Sequence, residues 1–228
     1  MKIIFFGDSL TQGTFGASYV DKVAAAVRGH HFINQGVNGD TSLNLFRRLD
    51  KDVLADKPDG IFIMIGVNDA VSAVESGSHL YFRFMKKLPR GQVSPISFRE
   101  NMRALLGKLV AAQIKTWVAL PPIEYNPATV TTLRQMNEYT SVICREFNIP
   151  VLDLMAAMTP KEVPARNAVG LSQYSQNLLI RLGLDTNYEK HRAAGSFSYS
   201  FDGTHLTENG AQQMADLIVP FLRTNGLR

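Results

Sequence analysis

The sequence predicts an α/β fold: a flavodoxin-like three-layer α/β/α sandwich built on a five-stranded parallel sheet. Three observations carry that prediction. Short β-branched and aromatic runs alternate along the chain with stretches of helical periodicity, which is the pattern of right-handed βαβ crossovers. The run from Gly60 to Gly66 is apolar at consecutive positions, as a strand covered on both faces must be. Polar or glycine-bearing tetrapeptides stand at several element ends, and the carboxyl ends of such strands are where open α/β sheets bind ligands.

The elements follow in order. Lys2-Ile3-Ile4-Phe5-Phe6 makes the first strand, and Gly7 permits a sharp turn that leaves Ser9 at the strand's C-terminal end. A helix near 17–28 is marked by Val20, Val23, Ala24 and Val27 at helical spacing. Phe32-Ile33 is a short strand ending at Asn34-Gln35-Gly36. Leu43, Phe46, Leu49 and Val53 put one apolar face on a helix from about 42 to 54. After the buried strand 60–66, Met102, Leu105, Leu109 and Ala112 mark a helix near 97–112. Strand 116–120 stops at Pro121-Pro122, which cannot continue a ladder. A helix over 128–147, a strand over 150–154 and a last helix over 207–222 complete the chain. Thr207 is placed to cap that last helix, and Pro220 is expected to disturb its final turn.

Residues 70–96 and 160–200 do not fit the alternation and read as loop insertions within a single domain spanning 1–228. Both are expected at the C-terminal edge of the sheet, beside Ser9. Length suffices for a large core without disulfides or metal. A hydrophobic share of 45% against 19% charged residues excludes a disordered chain. The formal charge is +4, and its densest basic spots, Arg47-Arg48 and Lys86-Lys87, read as solvated faces rather than a nucleic-acid surface. Cys144 is the only cysteine, so neither an intrachain disulfide nor a cysteine zinc cluster is available. The apolar run at the N-terminus is too short for a signal-peptide core, and no stretch has the length of a membrane span. These features point to a soluble, cytoplasmic protein without integral membrane association. They set no oligomeric state.

Four blocks hold the residues that carry chemistry: Gly7-Asp8-Ser9-Leu10, Asn38-Gly39-Asp40-Thr41-Ser42, Gly66-Val67-Asn68-Asp69 and Asp202-Gly203-Thr204-His205. Taken together, and in this order, they resemble the GDSL, or SGNH, family of serine esterases and lipases. The resemblance covers residue 2 to about 222, and it implies the SGNH hydrolase version of the fold. Each matched residue has a physical task. A serine hydroxyl is nearly inert at neutral pH, so Ser9 as nucleophile needs a general base. His205 fits, because imidazole titrates near neutrality. Asp202, three residues earlier, is spaced to hold the other ring nitrogen. The resemblance further implies an oxyanion hole made by the backbone N–H groups of Ser9 and Gly39 and the side-chain amide of Asn68. No metal or organic cofactor is implied, and the partner is a small-molecule acyl ester.

Each residue alone has a plainer reading: Ser9 as a helix cap, Gly39 as a loop glycine, Asn68-Asp69 as a turn, Asp202 as a loop acid. Their ordered coincidence favours chemistry. Asp8, Asp40 and Asp69 read as turn-forming or supporting carboxylates around the site. Leu80, Tyr81, Phe82 and Phe84 read as an apolar wall for an acyl chain, with a packed strut as the alternative. His30, His31 and His191 read as surface residues, and Cys144 as a buried apolar group. The expected reaction is carboxylic ester hydrolysis, on a short acyl ester, a lysophospholipid-type ester or an acyl-thioester. Carbohydrate O-deacetylation on the same scaffold is the alternative. Trp117 lies inside a buried strand, so it offers no sugar platform. A catalytically silent binding module would lack Ser9 or His205, and neither is lacking.

Overall fold

The computed structural model describes residues 1–165 and 187–227. Its five strands are β1 (Lys2–Gly7), β2 (His31–Gly36), β3 (Gly60–Met64), β4 (Lys115–Leu120) and β5 (Val151–Asp153). They pair in the order β2-β1-β3-β4-β5, and every pairing is parallel. The first strand in sequence therefore lies inside the sheet, and the strand order reverses next to it. Such a reversal opens a crevice at the strands' carboxyl ends. Burial explains the strand sequences. Ile3, Ile4, Phe5 and Phe6 are all fully buried, as are Ile61, Phe62 and Ile63 beside them. Each such side chain contributes about 1.5–3 kcal/mol when removed from water. The edge strand β2 is only half covered and tolerates His31 and Gln35.

The helices are α1 (Ser9–Gln12), α2 (Tyr19–Ala26), α3 (Ser42–Asp52), α4 (Val67–Val74), α5 (His79–Met85), α6 (Pro95–Ala111), α7 (Pro127–Glu146), α8 (Leu154–Met158), α9 (Tyr188–Gly195) and α10 (Glu208–Thr224). Helix α2 packs on α10 over one face of the sheet, while α3, α6 and α7 pack in succession over the other. No described helix is long and apolar enough to cross a membrane.

Several expectations need correction. Residues 70–96 are not a long loop. They continue α4, form α5 and lead through short 3-10 turns into the start of α6. Gly77, Pro89, Gly91 and Pro95 cut this stretch into pieces too short to show a period. Residues 166–186, most of the second expected insertion, lie outside the described residues. Those that follow, expected as loop, include α9. Helix α10 runs through Pro220. Pro220 and Asp216, one turn earlier, are both exposed, so the missing hydrogen bond falls on the solvent side of the helix and costs little there. Gly7 remains in the strand and makes no left-handed turn. A Cβ at Gly7 would sit 2.5 Å from the Met64 carbonyl oxygen, so glycine is required by close strand approach.

Candidate active site

Ser9 opens α1 at the end of β1, and Asp8 caps that helix by accepting the Leu10 N–H at 3.0 Å. Four residues make a poor helix alone. This one is tied down by the Asn34 amide on the Thr11 carbonyl at 2.7 Å and by a Thr11–Tyr19 hydroxyl contact at 2.9 Å. Ser9 Oγ lies 3.0 Å from His205 Nε2, and His205 Nδ1 lies 2.7 Å from Asp202 Oδ2. The other Asp202 oxygen accepts the backbone N–H groups of His205 at 2.7 Å and Thr204 at 2.9 Å. Residues 196 positions apart thus meet, as the resemblance implies. Phe15 and Phe201 flank the imidazole, with ring centroids 5.5 Å and 5.9 Å from it.

The electrostatics suit a proton relay. Burial works to raise Asp202, but His205 and the two backbone donors outweigh it and hold the carboxyl below its usual range. Burial works to lower the imidazole, but Asp202 and then Asp8 overcome it, so His205 titrates above its ordinary value. Asp202 therefore stays ionised and steadies a charged ring, while the ring faces the serine hydroxyl.

The Asn68 amide, expected as an oxyanion donor, lies between Asp8 and Asp40, the sequence neighbours of Ser9 and Gly39. Gly39 adopts φ +76°, which favours glycine. A Cβ there would come within 2.3 Å of the Tyr81 hydroxyl oxygen. Neither the Ser9 nor the Gly39 backbone N–H finds an acceptor among the described residues. The Asn68 amide donates to the Asp40 carbonyl at 3.0 Å, which orients it, and lies 3.4 Å from Asp8 Oδ2. Asp40 is gripped by Arg48 at 2.8 Å and Lys86 at 2.9 Å. Arg48 also holds the Gly7 and Gln35 carbonyls and lies over the Phe6 ring. Asp69 accepts the Ser42 hydroxyl at 2.6 Å and its N–H at about 3.0 Å, fixing the start of α3. Burial pushes both the Asp8 and Asp69 carboxyls up to about 7.

Of the four residues read as an acyl wall, only Tyr81 reaches the site. Phe82 is buried in the core, while Leu80 and Phe84 are 68% and 69% exposed and point away. They share one ridge of a helix whose opposite side is used for packing, which an apolar run in sequence does not reveal. His191 lies on α9 rather than in a loop. Cys144 is buried, and burial pushes its thiol up to about 12, so it is no nucleophile.

One residue escaped the sequence analysis. Glu124 follows β4 and is 2% exposed. Its carboxylate accepts the backbone N–H groups of Ser198, Tyr199 and Ser200 and the Ser200 hydroxyl, at 2.7–3.1 Å. Its own N–H donates to the Gly203 carbonyl at 3.0 Å. The loop bearing Asp202 and His205 is thereby held to the end of β4. The available signal was an acid just past a strand that ends in two prolines.

The GDSL-like lipase/acylhydrolase family model matches residues 3–218. An acetylxylan esterase from Geobacillus stearothermophilus is 38% identical over 86 residues, which is 30% of this chain and 39% of that protein. The aligned stretches span about two fifths of the length of the curated relatives that the chain matches. Among solved structures, an acetyl xylan esterase from Geobacillus stearothermophilus has a TM-score of 0.68 at 20% identity, covering 100% of this chain and 96% of that one. A lipase/acylhydrolase from Enterococcus faecalis has a TM-score of 0.64 at 23% identity, covering 98% and 95%. At such identities the solved structures show a shared fold, and the family match extends over nearly all of the sequence that builds the four blocks. The chain belongs to the GDSL-like lipase/acylhydrolase family.

Proposed function

We propose that the chain hydrolyses carboxylic esters through an acyl-enzyme on Ser9. His205 Nε2 takes the Ser9 proton as Oγ attacks the ester carbonyl carbon. The resulting oxyanion is held by the N–H groups of Ser9 and Gly39 and the Asn68 amide. The bond to the alcohol breaks, and His205 returns its proton to the leaving oxygen. Water then attacks the acyl carbon as His205 takes one of its protons, the bond to Ser9 Oγ breaks, His205 returns that proton to Oγ, and the carboxylic acid leaves. Asp202 orients the ring and stabilises its charged form. Every step uses groups of the chain and water. The observation that carries this reading is the 3.0 Å approach of His205 to the Ser9 hydroxyl, with Asp202 2.7 Å behind it. The substrate is a small acyl ester: a short acyl ester, a lysophospholipid-type ester or an acyl-thioester.

A second reading, O-deacetylation of a carbohydrate, is favoured by the 38% identity to an acetylxylan esterase over 86 residues. The buried position of Trp117 weighs against it. Turnover of p-nitrophenyl esters of rising chain length, beside acetylated xylo-oligosaccharides and an acyl-thioester, decides between them. Hydrolysis of the simple esters that vanishes in Ser9→Ala supports the proposal. Unchanged turnover in Ser9→Ala would remove Ser9 from the mechanism.

A further inference from the structure

Residues 76–99 carry five basic side chains, Arg83, Lys86, Lys87, Arg90 and Arg99, and no acidic one. The whole chain has a formal charge of +4, so all other residues together sum to −1. The positive excess is therefore local. The fold concentrates it further, because Arg47 Nη1 donates to the Lys87 carbonyl at 2.9 Å. The two basic pairs read from the sequence as separate solvated faces thus meet. Lys86 is consumed by Asp40. Arg47, Arg83, Lys87 and Arg90 are exposed and form no ion pair among the described residues.

The same segment exposes its largest apolar side chains. Leu80, Phe84 and Met85 are 68%, 69% and 70% exposed. Leu80 and Phe84, four residues apart, form the outer ridge of α5, while Phe82 anchors the helix in the core. The helix that carries this face borders the candidate site on another side, where Tyr81 abuts Gly39 and Lys86, just past the helix, holds Asp40. An apolar ridge flanked by unpaired cations is the surface that suits a bilayer of anionic phospholipid. A nucleic acid or an acidic glycan would reward the cations and leave three large apolar side chains in water. A second copy of the chain would bring like charges together.

We propose that α5 and the cations around it dock the protein onto anionic phospholipid membranes, with the Ser9 site on another side of the docked helix. Leu80, Phe84 and Met85 enter the hydrocarbon boundary, and Arg47, Arg83, Lys87 and Arg90 meet the headgroup phosphates. The docking is a property of the surface and does not require that Ser9 be a nucleophile.

The test is cosedimentation of full-length Ser9→Ala protein with vesicles of phosphatidylcholine alone or mixed equally with phosphatidylglycerol. Binding to the mixed vesicles only is expected. Arg83→Gln with Lys87→Gln should weaken it by about fivefold per cation removed, and added salt should weaken it further. Leu80→Ser with Phe84→Ser should weaken it at least as much, with an unchanged melting temperature. In the Ser9 background, Arg83→Gln with Lys87→Gln should leave p-nitrophenyl acetate turnover unchanged. Binding to neither vesicle would overturn the proposal. Loss with the charge variants but not with the serine variants would overturn it too, by showing a surface that reads charge alone. So would a dimer in velocity sedimentation that Leu80→Ser with Phe84→Ser dissolves. Failure of the esterase reading is visible separately, as absent turnover in the parent protein.

Discussion

The two halves of the candidate site are held by different means. Ser9, Gly39 and Asn68 sit where β1, β2 and β3 give way to helices, so the sheet itself sets their spacing. Buried carboxylates then refine it: Asp8 caps α1, Asp40 joins Arg48 and Lys86, and Asp69 fixes Ser42. Asp202 and His205 belong to no strand. Their loop is closed by a single Ser200–Leu206 bridge and by the Phe201 N–H on the His205 carbonyl at 3.0 Å. Glu124 attaches it to the end of β4, and the Ala17 N–H on the Leu206 carbonyl at 3.0 Å ties it to the segment before α2. The half that would stabilise the oxyanion is thus built into the ends of the strands, while the half that would move protons lies on a loop pinned to them chiefly by the buried Glu124 and by the Leu206 carbonyl. Proton transfer needs a group that can shift slightly between partners, and oxyanion binding needs donors that do not move.

This contrast can be broken or sharpened by substitution. The largest effect is expected in the loop-borne half. Asp202→Asn should lower kcat for p-nitrophenyl acetate by about 10⁴-fold through loss of the correct ring tautomer. A loss of less than tenfold would mean that the Asp202–His205 contact is incidental. In the sheet-borne half, Asn68→Ala should lower kcat by about 10²–10³-fold and leave KM nearly unchanged. A change confined to KM would make Asn68 a substrate-binding group only.

Glu124→Gln tests the attachment itself. It keeps the shape but weakens several charge-assisted hydrogen bonds, and should cost about 1.5–3 kcal/mol of stability by denaturant unfolding. Its kcat should fall while the pH midpoint of activity holds, because the relay groups are unchanged. An unaltered unfolding midpoint would deny Glu124 its part.

The smallest effect concerns pH. Asp202 and Asp8 hold His205 above its ordinary 6.5, and the ring must be neutral to accept a proton, so the acid limb of kcat/KM should centre above pH 6.5. Asp8→Asn should move that limb to lower pH. Stability should behave oppositely to activity. Asp8 and Asp69 near 7 keep protons that the unfolded chain has lost above about pH 4, so folding weakens as pH rises across that window. The raised His205 acts in the same direction. A melting temperature that rises between pH 5 and pH 7 would contradict this assignment.

Much of this architecture is legible in the sequence, because strands buried on both faces and helices with one apolar stripe leave periodic traces. The blocks that hold Ser9, Gly39, Asn68, Asp202 and His205 stand out as short polar stretches, and their resemblance to one family is what groups them. Glu124 is not legible, since nothing local says that its carboxylate will fold over three amides from residues 198–200. The outward aim of Leu80 and Phe84 is hidden for a related reason. A seven-residue helix is too short to reveal which apolar side chains its packing will choose.

The proposed chemistry needs an imidazole from the carboxyl-terminal loop to activate a hydroxyl at the end of the first strand. Labelling with a fluorophosphonate, followed by peptide mass spectrometry, measures that directly. A single modified residue, Ser9, is expected, with a labelling rate that collapses in His205→Ala. Modification of another residue, or an equal rate without the imidazole, would contradict it.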